Sequence, residues 1–154
     1  MRKINVLIVL LGVVSLCVSA AAIAQPGMKW KGSGGWGPGG QYSRMYDQAT
    51  VETISGVVET IGKIPSPGRR MTHGLHVTVK TATGTISVHL GPAWYIERLD
   101  TEIKRGDRLE VKGSRITYRG KPAIIAAEIR KGDAVLLLRD KTGFPAWAGW
   151  RRRQ

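Results

Sequence analysis

The sequence is poor in the residue types that build most reactive centres. Its 154 residues include one cysteine, one phenylalanine and three histidines. Cys17 lies in an N-terminal apolar run behind Leu16, where a lipoprotein cleavage site calls for a small side chain, so no lipid anchor is expected. Once that run is removed no cysteine remains. Disulfides, iron–sulfur clusters, thiolate zinc sites, a cysteine nucleophile and covalently attached haem are then excluded together. Acidic residues are also scarce, with 11 Asp+Glu against 24 Lys+Arg and a formal charge of +13. No Gly-x-Ser-x-Gly elbow, Gly-x-x-x-x-Gly-Lys-Ser/Thr loop or His-Glu-x-x-His helix occurs. Glu52, Glu59 and Glu110 fall in predicted strands as outward partners of Lys and Arg. Glu97, Asp100 and Glu102 fall on or beside a short predicted helix, as solvated charge. No nucleophile, base and orienting group can be assembled from these residues, so the chain is expected not to be an enzyme.

What is present divides the chain into four parts. Residues 1–24 place Arg2 and Lys3 before an apolar stretch and end in Ala22-Ile23-Ala24, the pattern of a cleaved secretory signal peptide. Removal would leave 130 residues with 22 basic and 11 acidic side chains, a basic domain in the periplasm or secreted. Residues 25–48 begin with seven glycines in sixteen positions and read as a flexible leader, with order starting near residues 42–47. Residues 49–139 carry the strand signals, and residues 140–154 form an aromatic and basic tail.

Within residues 49–139 the strand signals recur at short intervals. Residues 50–61 are rich in β-branched side chains, with Gly56 at a predicted bulge or bend. Residues 62–74 form a basic loop. Residues 75–80 and 85–90 alternate apolar and polar positions around a short turn, which makes a hairpin. Pro92 opens a predicted helix over residues 92–104 that would bury Ile96, Leu99 and Ile103. Residues 107–118 and 122–130 are again strands, and residues 134–139 form an extra one. Five strands with a short helix between the third and fourth is the layout of an all-β OB-fold barrel, here with an added C-terminal strand.

The segments 53–58 (TISGVV), 106–113 (GDRLEVKG) and 125–129 (IAAEI) resemble the first-, fourth- and fifth-strand patterns of small exported, BOF-like bacterial OB-fold proteins. The resemblance spans about residues 50–131. It implies a signal peptide followed by one barrel that binds small ligands or cations. The positive charge and the tail over residues 139–153 depart from that group.

Charge points to the candidate ligand face. An OB-fold usually binds on strands 2 and 3, flanked by the loops between strands 1 and 2 and between strands 4 and 5. The first loop region supplies Lys63, Arg69 and Arg70. The second supplies Arg115, Tyr118, Arg119 and Lys121. Together they predict a positive rim for an anionic ligand or envelope partner. Single-strand nucleic-acid binding normally adds aromatic platforms on the strands, and strands 2 and 3 show outward only His76, Thr78, Lys80, Thr85, Ser87 and His89. Nucleic-acid binding is therefore the weaker alternative.

Alternation also sets the hairpin register. Pairing Val79 with Ile86 and Val77 with Val88 puts His76 across from His89, with Cβ atoms about 4.5–5.5 Å apart on an outer face. His73 is the candidate third ligand. This trio supports a second reading, a metal-binding accessory protein of a redox or transport system, with copper or zinc as the metal and no other cofactor. In the tail, Trp147, Trp150, Arg151, Arg152 and Arg153 form a candidate docking segment for a protein partner or a membrane surface, while packing over an open barrel end is the favoured reading for Phe144 and Trp147.

Overall fold

A computed structural model describes residues 34–66 and 71–148. Six strands and one short helix make up the barrel: β1 Val51–Ile64, β2 Gly74–Thr81, β3 Gly84–Pro92, α1 Ala93–Ile96, β4 Arg108–Tyr118, β5 Lys121–Lys131 and β6 Ala134–Leu137. The sheet order is β3-β2-β1-β4-β5-β6, and a further pairing joins β3 to β5. That last contact is parallel, Ser87 to Ala123 through His89 to Ile125, while the other pairs are antiparallel. Five strands thus close into a ring with β6 added to β5. This is the OB-fold expected from the strand spacing.

β1, in the middle of the sheet, serves two neighbours in turn. Residues Val51 to Val57 pair with β4, and Val57 to Ile64 pair with β2. Gly56 sits at this changeover. Its backbone is not in the left-handed region, so close approach rather than an unusual dihedral is the constraint that requires glycine. A Cβ there would overlap the Lys80 carbonyl oxygen and lie 2.7 Å from Val79 Cγ1. The bulge falls three residues later, where the pairing passes from Val58 to Thr60 and leaves Glu59 as the extra residue.

Inward positions follow the two-residue period. Val77, Val79 and Val88 are fully buried, as are Val111, Ile124 and Ile129. On β4 the buried set passes from Leu109 and Val111 to Ser114 and Ile116, and the change of parity coincides with a bulge between Lys112 and Gly113. From Ala123 to Ala127 every residue of β5 is buried. One face of that stretch points into the barrel and the other lies under a second layer.

The second layer comes from outside the barrel sequence. Residues 34–47, expected within the flexible leader, pack onto the sheet with Trp36 at 0% and Tyr42 at 5% exposure. After β6, residues 138–148 return across it. Trp147 Nε1 donates to the Trp36 carbonyl at 2.8 Å, and Trp36 Nε1 donates to the Thr72 carbonyl at 2.9 Å. The indoles approach the strands closely because Gly74 and Gly91 face them: a Cβ at Gly91 would come within 2.8 Å of Trp147, and one at Gly74 would overlap Trp36. Sequence composition concealed this because glycine-rich segments usually lack the apolar surface to order themselves, whereas here single tryptophans are received by glycine-floored sites.

The helix is one turn rather than the expected thirteen residues. Bonds from Arg98 N to Tyr95 O and from Leu99 N to Ile96 O tighten its end, and Asp100-Thr101 are poor helix formers. Ile96, Leu99 and Ile103 still pack against the core.

Gly56→Val should place side-chain atoms against the β2 backbone and destabilise the barrel by about 3 kcal/mol, the upper range for overpacking. Urea denaturation is the check: the midpoint should fall with little change in the slope.

Candidate functional site

The β2–β3 hairpin turns through Ala82 and Thr83, and this short connection fixes the register. Val79 pairs with Ile86, Val77 with Val88 and His76 with His89, as the alternation predicts. Leu90 is an extra residue just beyond His89, so the strand bends immediately after the histidine pair.

The pair does not face open solvent. His89 is 3% exposed because Tyr42 and Tyr118 cover it. The Tyr42 hydroxyl and His89 Nδ1 share a 2.8 Å hydrogen bond, and the two rings stack with centroids 5.9 Å apart. Tyr118, at the end of β4, meets His89 edge-on at 4.8 Å. His76 is half-buried, its ring centroid 6.2 Å from that of His89 and its Nδ1 3.1 Å from Ser87 Oγ. The outward face expected for His89 is thus an inner face, covered by a segment distant in sequence.

Burial sets the protonation of this cluster. Desolvation, reinforced by the positive charges of His76 and Arg139, pulls the His89 imidazolium down to a pKa of about 4. Desolvation lowers His76 as well. Burial raises Tyr42 well above the usual phenol range. Both imidazoles are neutral at neutral pH, but each has its Nδ1 in a hydrogen bond. His73 is exposed at the loop end, where its carbonyl accepts from Ala93 N. Among the described residues no three His, Cys, Asp or Glu side chains gather as a metal site. The structure therefore brings together two members of the expected trio and leaves His73 out.

The basic residues do not all share a face with this cluster. On one side Arg119 stands at the tip of the β4–β5 hairpin with φ +50°, its guanidinium 5.4 Å from the Tyr118 ring centroid. Lys121 is exposed beside it. On the other side Lys63 is exposed but pairs with Leu75 and faces away from His76, whereas its neighbour Gly62 lies against His76: a Cβ there would come within 2.6 Å of His76 Nε2. Arg115 is engaged elsewhere. Its Nη2 donates to Glu52 Oε1 at 2.6 Å, and its Nε reaches both carboxylate oxygens, which lowers the Glu52 pKa. Arg69 and Arg70 lie outside the described residues.

In the tail, Trp147 is 1% exposed and belongs to the packed layer, while Phe144 is 46% exposed. Trp150, Arg151, Arg152 and Arg153 lie outside the described residues. The burial of Arg139 escaped the sequence reading, for it has no periodic partner nearby in the chain, whereas Tyr42 packs on the barrel as the expected onset of order near residues 42–47 implies. Among the described residues, no helix is long and apolar enough to cross a membrane.

A family model described as the MamS/MamX magnetosome protein family matches residues 50–136, from the start of β1 nearly to the end of β6. This is a different family from the BOF-like proteins that the strand motifs resemble. No curated protein matches the chain. Among solved structures, the chain is similar to one from a replication protein A heterotrimer bound to single-stranded DNA, at 20% identity and a TM-score of 0.40. That match covers 55% of this chain and 59% of the other.

The depressed His89 pKa predicts a pH-dependent stability. Because the unfolded histidine takes up a proton near pH 6.5 and the folded one only near pH 4, this contribution is complete above pH 6.5 and is lost as pH falls toward 4. The loss should amount to about 3 kcal/mol. His89→Gln, which keeps a partner for Tyr42 but cannot titrate, should flatten stability between pH 6.5 and 4 relative to the native chain in urea denaturation at each pH.

Proposed function

The chain belongs to the MamS/MamX magnetosome protein family, and we propose that it is an exported accessory module that binds rather than catalyses, presenting a basic face to an anionic ligand or envelope partner. The N-terminal charge, apolar run and Ala-x-Ala site support export. The observation that carries the binding reading is the seat of Arg119. A non-glycine residue in the left-handed region is uncommon, and this one holds its guanidinium over Tyr118, which in turn rests on His89. The cation is thus presented from a packed support, and no carboxylate pairs with it or with Lys121 among the described residues.

Electrostatics decides what such a surface attracts. Five of the eleven acids stand in ion pairs: Glu52 with Arg115, Glu102 with Lys104, Asp107 with Lys131, and Glu110 and Glu128 with Arg130. Exposed pairs of this kind add about 0–1 kcal/mol each to stability, but they remove negative charge from competition. The unmatched cations then favour anions and speed their encounter. The metal-binding reading has less support, since one buried and one half-buried imidazole without a third ligand among the described residues make a weak site.

Reversing both charges with Arg119→Glu and Lys121→Glu should weaken binding of inorganic polyphosphate about tenfold and make its logarithmic salt dependence shallower by between about one and two. A fluorescence salt titration checks both quantities. Unchanged affinity and slope would move the binding surface off this rim.

A further inference from the structure

Arg139 is a buried cation without a counter-charge among the described residues. It is 5% exposed, its Nη1 donates to the carbonyls of Ala126 and Leu90, and its guanidinium lies 4.7 Å from the Trp147 ring centroid. Nη2 is buried with no hydrogen-bond partner among the described residues. Burial lowers its pKa to about 10, so the group remains charged at neutral pH. A buried cation with an unused donor is costly, whereas an oxyanion placed there would restore both the charge balance and the hydrogen bond.

The surroundings provide the space. Arg139 lines a groove of about 420 Å³ together with Tyr46, Lys112 and Lys141. Two carboxylates also line it, and both are already engaged. Glu128 pairs with Arg130 at 2.8 Å, and Asp140 accepts from the Thr142 amide, the Thr142 hydroxyl and the Phe144 amide. Three cations therefore line the groove with two carboxylates, each of which is engaged through one oxygen by a partner other than Arg139, Lys112 or Lys141.

We propose that this groove is an oxyanion site that takes a carboxylate or phosphate group of a small ligand, with Arg139 as its buried anchor and Lys112 and Lys141 at its mouth. Charge-assisted hydrogen bonds from arginine are the strong kind for such groups. None of the lining residues belongs to the Arg119 rim, so the two sites are separable by mutation.

The test is an NMR titration of the ¹⁵N-labelled chain with sodium phosphate and with sodium acetate at constant ionic strength, using chloride as the control. Saturable shifts should appear at Tyr46, Ala127 and Asp140 with phosphate, acetate or both, and the anion that produces them names the ligand class. Lys112→Glu with Lys141→Glu should weaken this binding at least tenfold, and Arg139→Met should abolish it. Arg119→Glu with Lys121→Glu should leave it unchanged. If Arg139→Met does not fold by circular dichroism, the lysine pair decides. Equal shifts with chloride, or an affinity unaffected by the lysine reversals, would overturn the site.

Discussion

Three parallel residue pairs, Ser87 with Ala123, Val88 with Ile124 and His89 with Ile125, turn an open sheet into a barrel. Much else in the molecule depends on them. Closure removes the free edges of β3 and β5 over this stretch and makes Val88 and Ile124 part of one core. It also brings the β4–β5 hairpin alongside β3, and so delivers Tyr118 to His89. Parallel ladders are slightly weaker per residue than antiparallel ones, and this one is short. Its outer face is covered by the segments that contribute Trp36, Tyr42 and Trp147, so the closing pair is buried on both sides.

That outer layer is unusual in carrying polar groups where an apolar seam would suffice. Ser114 is fully buried and receives the Asp47 amide at 2.9 Å, with the Thr50 hydroxyl at the same distance, which ties the N-terminal segment to β4. Tyr42 and His89 satisfy each other. Each pairing converts a desolvation cost into an orientation, because the buried polar atom has one geometry in which it is bonded. Arg139 alone breaks this pattern by keeping one donor unused among the described residues, and it does so beside a groove. The contrast between complete satisfaction at Ser114, Tyr42 and His89 and its absence at Arg139 separates structural polar groups from one available to a ligand.

The two basic regions differ in how their charge is held. Arg119 stands on the surface over an aromatic support, where screening by salt is strong. Arg139 lies in the packed layer, where screening is weak. Family membership brings the whole barrel from β1 to β6 under one description but leaves these local differences to the side chains. Function in an OB-fold resides in such sites rather than in the barrel.

Sequence alone determined the strand order, the hairpin register and the excess of positive charge, because a two-residue period and a short turn leave one pairing that keeps Val77, Val79 and Val88 inside. It overextended the helix, since apolar spacing at Ile96, Leu99 and Ile103 is satisfied equally well by a series of turns packed on the core. It also took the reverse of each inward residue for a solvated one. Alternation states which side chains share a face and nothing about what is laid over that face. Only tertiary structure decided that His89 is buried, that Arg115 is neutralised by Glu52 and that Arg139 is buried against Trp147. Those outcomes rest on contacts such as the one between Trp36 and Trp147, 111 residues apart, which no local pattern encodes.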